Sequence, residues 1–169
     1  MKNQLKESIL EKRNLLSDEE VKEKSKKIQQ NLSNLENYQK SKTIMFFVSF
    51  GNEVFTHDMI RNALKNKTVV VPKAAHDEIE PSLIIDFDSL ISGKFGIHEP
   101  IEVMKIAHKN IGLVLVPGIV FDRHGHRIGY GYGFYDKFLR KAPKAVKVGL
   151  CFDFQLVDKI PYEMHDVPV

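Results

Sequence analysis

Four short runs rich in β-branched and aromatic residues recur along the chain, separated by segments with helical spacing or by turns. Thr43 to Phe50 (TIMFFVSF), Thr68 to Val71, Gly112 to Val116 (GLVLV) and Val146 to Leu150 contain no charge except Lys147. A strand with so little polarity has no solvent face, so it belongs in a sheet covered on both sides, which is the habit of parallel sheets. Helices supply the cover. Leu5, Ile9, Leu10, Leu15 and Leu16 recur at helical spacing, and Ser17-Asp18-Glu19-Glu20 reads as an N-cap with an acidic first turn for a helix through Leu35. Thr56-His57-Asp58 caps a helix to about Lys65, and Phe134 to Lys141 reads as another. Pro72 is expected to stop the second strand, and Ile79 to Phe87 adds one or two short strands around Pro81. Ser92 to Pro100 (SGKFGIHEP) reads as loop. The fold class this implies is α/β: a single three-layer domain over residues 1–169, with a mainly parallel central sheet flanked by helices.

At 169 residues the chain can bury roughly 70% of its unfolded surface and needs neither disulfides nor a metal to fold. No apolar run approaches the roughly 20 residues that span a bilayer, and the N-terminus (MKNQLKESILEKRNLL) is charged throughout, unlike a secretory signal. Cys151 is the only cysteine, which suits a reducing, cytoplasmic setting without membrane association. The net charge is +3, with lysines and carboxylates interspersed. Such an excess suits a small anionic ligand rather than nucleic acid. A monomer is the expected state.

The stretch that carries chemistry is Val116 to Leu139, VPGIVFDRHGHRIGYGYGFYDKFL. It runs from a buried strand through a hairpin at Asp122 to Gly125 into Gly129-Tyr130-Gly131-Tyr132-Gly133, then a helix. Glycine at every second position lets backbone N–H groups face one concavity with no Cβ in the way. The helix that follows turns its own free N–H groups and positive dipole end to the same point. Arg127 precedes the loop and is placed for a bidentate phosphate contact, while Tyr130, Tyr132, Phe134 and Tyr135 suit an aromatic pocket for a planar ligand. Neither GxxxxGK[ST] nor GxGxxG is present, so a Walker A loop and a dinucleotide fingerprint are rejected. The competing reading is a glycine-rich hairpin with its aromatics in the core.

Asp136 in the first helical turn and Asp166 near the end each read singly as a cap or a solvated carboxylate. Brought together beside phosphate oxygens, they suit Mg²⁺. Lys2, Lys6 and Arg13 share one face of the first helix, for which solvation is the simpler reading. Glu53 follows the first strand, where α/β folds place ligands. His57, His124 and His126 lack a third ligand at zinc spacing and read as solvated loop residues, and Cys151 reads as a core thiol. No serine lies in a G-x-S-x-G elbow.

The segment VPGIVFDRHGHRIGYGYGFYDKFL resembles the signature of the 5-formyltetrahydrofolate cyclo-ligases, also called 5,10-methenyltetrahydrofolate synthetases, a VPG-x-x-F-D-x-x-G-x-R-L-G-x-G-x-G-[YF]-Y-D pattern. Lys2 to Arg13 is similar to the family's basic N-terminal helix. Phe47 to Thr56 (FVSFGNEVFT) is similar to its strand with a following glutamate, and Phe95 to Pro100 (FGIHEP) to its GI-x-EP loop. Gln155-Leu156-Val157, Ile160-Pro161 and His165-Asp166-Val167-Pro168-Val169 follow in family order. Three departures stand out: Tyr132 holds a position often given to glycine or lysine, Phe134 replaces the first tyrosine of a Tyr-Tyr pair, and Lys6 stands where arginine is common.

The resemblance implies a Rossmann-like sheet of cyclo-ligase type. It also implies an enzyme that uses ATP, as co-substrate, and Mg²⁺ to convert 5-formyltetrahydrofolate, with or without a polyglutamate tail, into 5,10-methenyltetrahydrofolate, ADP and phosphate. The γ-phosphoryl group moves to the formyl oxygen, N10 attacks the formyl carbon, and phosphate leaves. Carried onto this chain, Lys2, Lys6, Arg127, Ile128 and the run Gly129, Tyr130, Gly131, Tyr132, Gly133, Phe134 and Tyr135 are the implied ATP-binding residues. Val48, Glu53, Phe95, Tyr132 and Tyr135 are the implied folate contacts, Asp136 and Asp166 the Mg²⁺ carboxylates, and Arg127, Tyr135 and Asp136 the catalytic set. Glu53 is suited to accept from the pterin N–H edge. Two other readings remain open: a non-catalytic nucleotide- or RNA-binding α/β module using the basic first helix, and a sugar-phosphate isomerase or CoA-transferase-like enzyme on a related fold.

Overall fold

The computed structural model describes residues 1–161 and 163–169. In chain order the elements are α1 (Lys2–Asn14), α2 (Asp18–Asn34), α3 (Glu36–Lys40), β1 (Thr43–Met45), α4 (His57–Ala63), β2 (Thr68–Ala75), β3 (Glu78–Ile84), β4 (Ile91–Ser92), β5 (His98–Glu99), β6 (Leu113–Val116), β7 (Val120–Asp122), β8 (Arg127–Ile128), α5 (Phe134–Lys141), β9 (Val146–Gly149) and β10 (Leu156–Val157).

The central sheet has the order β3-β2-β1-β6-β9. The β1–β2, β1–β6 and β6–β9 pairs are parallel, and β3 adds an antiparallel edge to β2. Period two sorts the side chains of its strands. Ile44, Val69, Val71, Leu113 and Leu115 join a core closed by Val21 and Leu32 of α2, Tyr38 of α3 and Met59, Ile60 and Ala63 of α4. Met45, Val70, Val114 and Val116 face the other way, onto Phe138 and Leu139 of α5 and Ala142 just after it. The expected three layers are present. The α1 helix packs elsewhere: Ile9 meets Ile119, Val120, Ile128 and Ile160, beside a small sheet of order β10-β7-β8.

Several local expectations are corrected. The first strand ends at Met45, with one further bond from the Phe46 N–H to the Val70 carbonyl at 2.9 Å. Beyond it side chains take over: the Ser49 N–H donates to Thr56 Oγ1 at 3.0 Å and the Phe50 N–H to Glu53 Oε1 at 3.0 Å. Thr56 therefore caps nothing with its hydroxyl, which donates to the Phe47 carbonyl at 2.7 Å. Pro72 does not stop β2. It pairs across from Pro81, and the β1–β2 ladder ends at Val70, so one side of β2 is already open where the N–H is missing. The Ser92 to Pro100 loop is a small hairpin closed by β4 and β5. Leu15 lies past the end of α1 and is exposed. The Ser17 cap holds, accepting the Glu20 N–H at 3.1 Å.

Candidate active site

One cleft of about 550 Å³ opens beyond the carboxyl ends of β1 and β6. The turn after β6 enters the β7–β8 hairpin, whose Asp122 carboxylate accepts the N–H groups of His124 and His126 at 2.9 Å each. The chain then leaves β8 and crosses the cleft as Gly129 to Gly133. Among the described residues, no backbone N–H from Gly129 to Asp136 has a hydrogen-bond acceptor. Gly131 and Gly133 have φ of 103° and 69°, and a Cβ on either would meet no protein atom within 4 Å. The glycine run thus lines the cleft with amides that have no protein acceptor, and the N-terminus of α5 follows it. Lys141 fixes that helix to Glu78 at 2.7 Å, at the β2–β3 turn.

Arg127 lies beneath the loop. Its guanidinium donates to the Pro117 carbonyl at 3.3 Å, stands 3.8 Å from Asp136 Oδ1 and lies over the Tyr135 ring, while its Nε has no partner. A Cβ on Gly129 would come within 2.9 Å of Nη1, so glycine there lets the guanidinium lie directly under the backbone. Burial lowers the Arg127 pKa, against the pull of Asp136. Burial also raises the Tyr135 hydroxyl well above its ordinary value.

Asp136 Oδ1 accepts the Val167 N–H at 3.0 Å, and Asp166 Oδ2 accepts the Glu163 N–H at 2.9 Å. The Val167 link sets the two carboxylates on adjoining chain segments at the cleft wall. Among the described residues no three His, Cys, Asp or Glu side chains gather as a metal cage. Two carboxylates with free lone pairs nonetheless fit Mg²⁺, which takes one or two carboxylates and draws its remaining ligands from phosphate oxygens and water.

On the opposite wall Glu53 is nearly fully buried. Burial drives its carboxyl up to about 7, although the Phe50 N–H, the Arg13 guanidinium and the Tyr130 hydroxyl all favour its charged form. Phe95, at the tip between β4 and β5, holds φ at 61° and stays exposed at the rim. A bulky residue in that conformation costs on the order of 1–2 kcal/mol. The strained turn carries its ring over Tyr132, 6.1 Å between centroids, and Tyr132 stacks in turn on Phe134 at 5.4 Å.

Lys2, Val48, Glu53, Phe95, Arg127, Ile128, Gly129 to Tyr135, Asp136 and Asp166 all line this cleft. Lys6 does not: its Nζ donates to the Tyr130 carbonyl at 3.3 Å, which makes it a support for the loop. The solvated-face reading of the first helix is corrected, since Lys2 reaches within 3.8 Å of Asp166 and Arg13 is buried against the Tyr130 hydroxyl at 2.6 Å. Sequence reasoning noted Arg13 on that face but gave it no role. The signal was present only as an apolar neighbour, Ile9, four positions before it. The histidines are corrected too. His57 is packed between Phe55 and Phe87 and bonded to the Ser49 carbonyl at 2.8 Å, and His126 pairs with Asp122 at 3.1 Å. Burial raises the Cys151 thiol to about 11, as befits an inert one.

The sequence profile of the 5-formyltetrahydrofolate cyclo-ligase family matches residues 1–169. The chain belongs to that family. It is similar to the 5-formyltetrahydrofolate cyclo-ligase of Haemophilus influenzae, 30% identical over 84% of this chain and 80% of the relative. It is also similar to that of Mycolicibacterium smegmatis, 32% identical over 75% of this chain and 70% of the relative. The solved 5,10-methenyltetrahydrofolate synthetase of Aquifex aeolicus superposes with a TM-score of 0.89 at 34% identity, covering 99% of this chain and 86% of that one. That of Mycoplasma pneumoniae superposes at 0.79 and 27% identity, covering 99% and 94%. The mixed sheet described above is therefore the fold of these synthetases.

Proposed function

We propose that the cleft binds Mg-ATP along the Gly129–Tyr135 loop and 5-formyltetrahydrofolate against Glu53, and that the γ-phosphoryl group passes between them. Family membership makes the protein a 5-formyltetrahydrofolate cyclo-ligase, a ligase of folate metabolism. The observation that carries the residue-level reading is the set of acceptor-free N–H groups from Gly129 to Asp136, facing the same cleft as a buried carboxylate.

The loop amides and the α5 N-terminus hold the triphosphate, with Lys2 and the buried Arg127 adding positive charge at either side. Asp136 and Asp166 would hold Mg²⁺, which neutralises phosphate charge when bound. Glu53 accepts from the pterin N–H edge and so fixes the position of the formyl group, while Val48, Phe95 and Tyr132 cover the ring system. The formyl oxygen takes the γ-phosphoryl group from ATP and leaves ADP. N10 adds to the formyl carbon and gives up its proton, and the C–O bond breaks with release of phosphate, which can carry that proton away. Chemistry of this kind needs positioning and charge neutralisation more than an acid or a base.

The cleft supports this reading over RNA binding, because Lys2, Lys6 and Arg13 of α1 turn to Asp166, the Tyr130 carbonyl and the Tyr130 hydroxyl. No helix among the described residues is long and apolar enough to cross a membrane. We propose a cytoplasmic monomer that acts on ATP and a reduced folate, with or without its polyglutamate tail, and on no nucleic acid. Mixing the protein with 5-formyltetrahydrofolate and Mg-ATP should produce the near-ultraviolet absorbance of a methenyl bridge. Folded protein that gives no such signal would remove the assignment.

A further inference from the structure

Arg13 is buried although it is charged, and it lies on α1, outside the lining of the cleft. Its Nη2 donates to the Tyr130 hydroxyl at 2.6 Å, while Nε and Nη1 have no partner. An arginine cannot accept, so the Tyr130 oxygen must be the acceptor in that contact. The hydroxyl proton is then left to point at Glu53 Oε2, 3.5 Å away. Glu53 Oε1 is already held by the Phe50 N–H at 3.0 Å. The Tyr130 ring is braced by Phe50 at 5.6 Å, and its carbonyl by Lys6. A cation, a hydroxyl and a carboxylate thus stand in a chain from the N-terminal helix, through the nucleotide loop, to the folate wall.

We propose that Arg13 is a positioning residue for folate, acting through Tyr130 to orient Glu53 and keep it charged as an acceptor for the pterin. The inference rests on the function proposed above and adds to it Arg13, which lies outside the cleft lining. The titratable and charged groups facing Glu53 are Arg13 from α1 and Tyr130 and Tyr135 from the glycine segment and the start of α5. Both tyrosines stay protonated near neutrality, since burial raises them, Tyr130 to about 12. Among the described residues Arg13 is therefore the full positive charge acting on Glu53, and losing it favours the protonated carboxyl.

Arg13→Met, Arg13→Lys and Tyr130→Phe test the relay by two readouts. In the wild type, kcat/KM for 5-formyltetrahydrofolate should fall as pH drops through the titration of Glu53. Arg13→Met should move that limb upward by roughly one pH unit and raise the folate KM about tenfold at neutral pH, with a smaller change in the ATP KM. Arg13→Lys should restore most of the shift, which lost packing alone would not explain. Tyr130→Phe keeps the ring and should shift the limb in the same direction, so the test survives if Arg13→Met does not fold. Carboxyl ¹³C titration of Glu53 by NMR reads the same coupling without turnover. A Glu53 titration that stays put in Tyr130→Phe, in a protein whose wild type turns over folate, overturns the inference alone. A wild type without turnover overturns the proposed function instead.

Discussion

The carboxylate of Asp122 accepts the backbone N–H of Ile160 at 2.9 Å, tying the root of the β7–β8 hairpin to a segment 38 residues further on. The same carboxylate holds the N–H groups of His124 and His126. Burial on its own would raise its pKa, but these donors outweigh burial and hold it below the ordinary value. Asp122→Ala should cost about 3 kcal/mol, because three N–H groups lose their acceptor at once. The urea midpoint would report it. The lowered value also fixes a sign: the contribution of Asp122 is full above its ordinary titration range and is lost as pH falls through the depressed one. The stability gap between wild type and variant should therefore narrow in strong acid.

Glu53 has the opposite sign. Its folded pKa is raised from 4.5 to about 7, so the folded protein keeps the proton longer than the unfolded chain does. Its stability contribution is full below the unfolded value and declines until the folded value is passed. Glu53→Gln keeps an acceptor for the Phe50 N–H and removes the titration. Thermal melts should show the variant gaining on the wild type between about pH 5 and about pH 8. Its folate KM should rise, since an amide is a weaker acceptor than a carboxylate.

Gly131→Ala separates backbone strain from collision. At φ of 103° an alanine is strained by on the order of 1–3 kcal/mol, yet its Cβ meets no protein atom. The methyl group instead enters the space assigned to phosphate. A modest drop in melting temperature should accompany a rise of roughly tenfold or more in the ATP KM. An unchanged ATP KM would show that phosphate does not approach there.

Asp136→Asn retains Oδ1 as acceptor for the Val167 N–H, so the fold should hardly change. Titrating Mg²⁺ at fixed ATP should show half-saturation at roughly tenfold higher metal concentration. Equal loss of structure and activity would make Asp136 a tether for the C-terminal segment only.

The parts legible in sequence were those written in local patterns. The limits of α5 follow from glycine before it and apolar spacing within it, and the alternating glycines predicted their own cradle. Pro72 misled because a proline stops a strand only where a neighbour needs its N–H, and sheet order decides that. Thr56 misled because an N-cap position does not say where the hydroxyl will find its acceptor. Arg13 was invisible as a site residue because its partner lies 117 positions away, and no local rule separates it from the solvated Lys12 beside it.

Lys2 and Asp166 face each other at 3.8 Å across a cleft that also draws on the middle of the chain. On the proposed function, nucleotide bound there would bridge α1 and the segment around Asp166, which lie far apart in the sequence. Its binding should therefore slow local opening of both segments together, so that a protease cut in either becomes rarer when nucleotide is present.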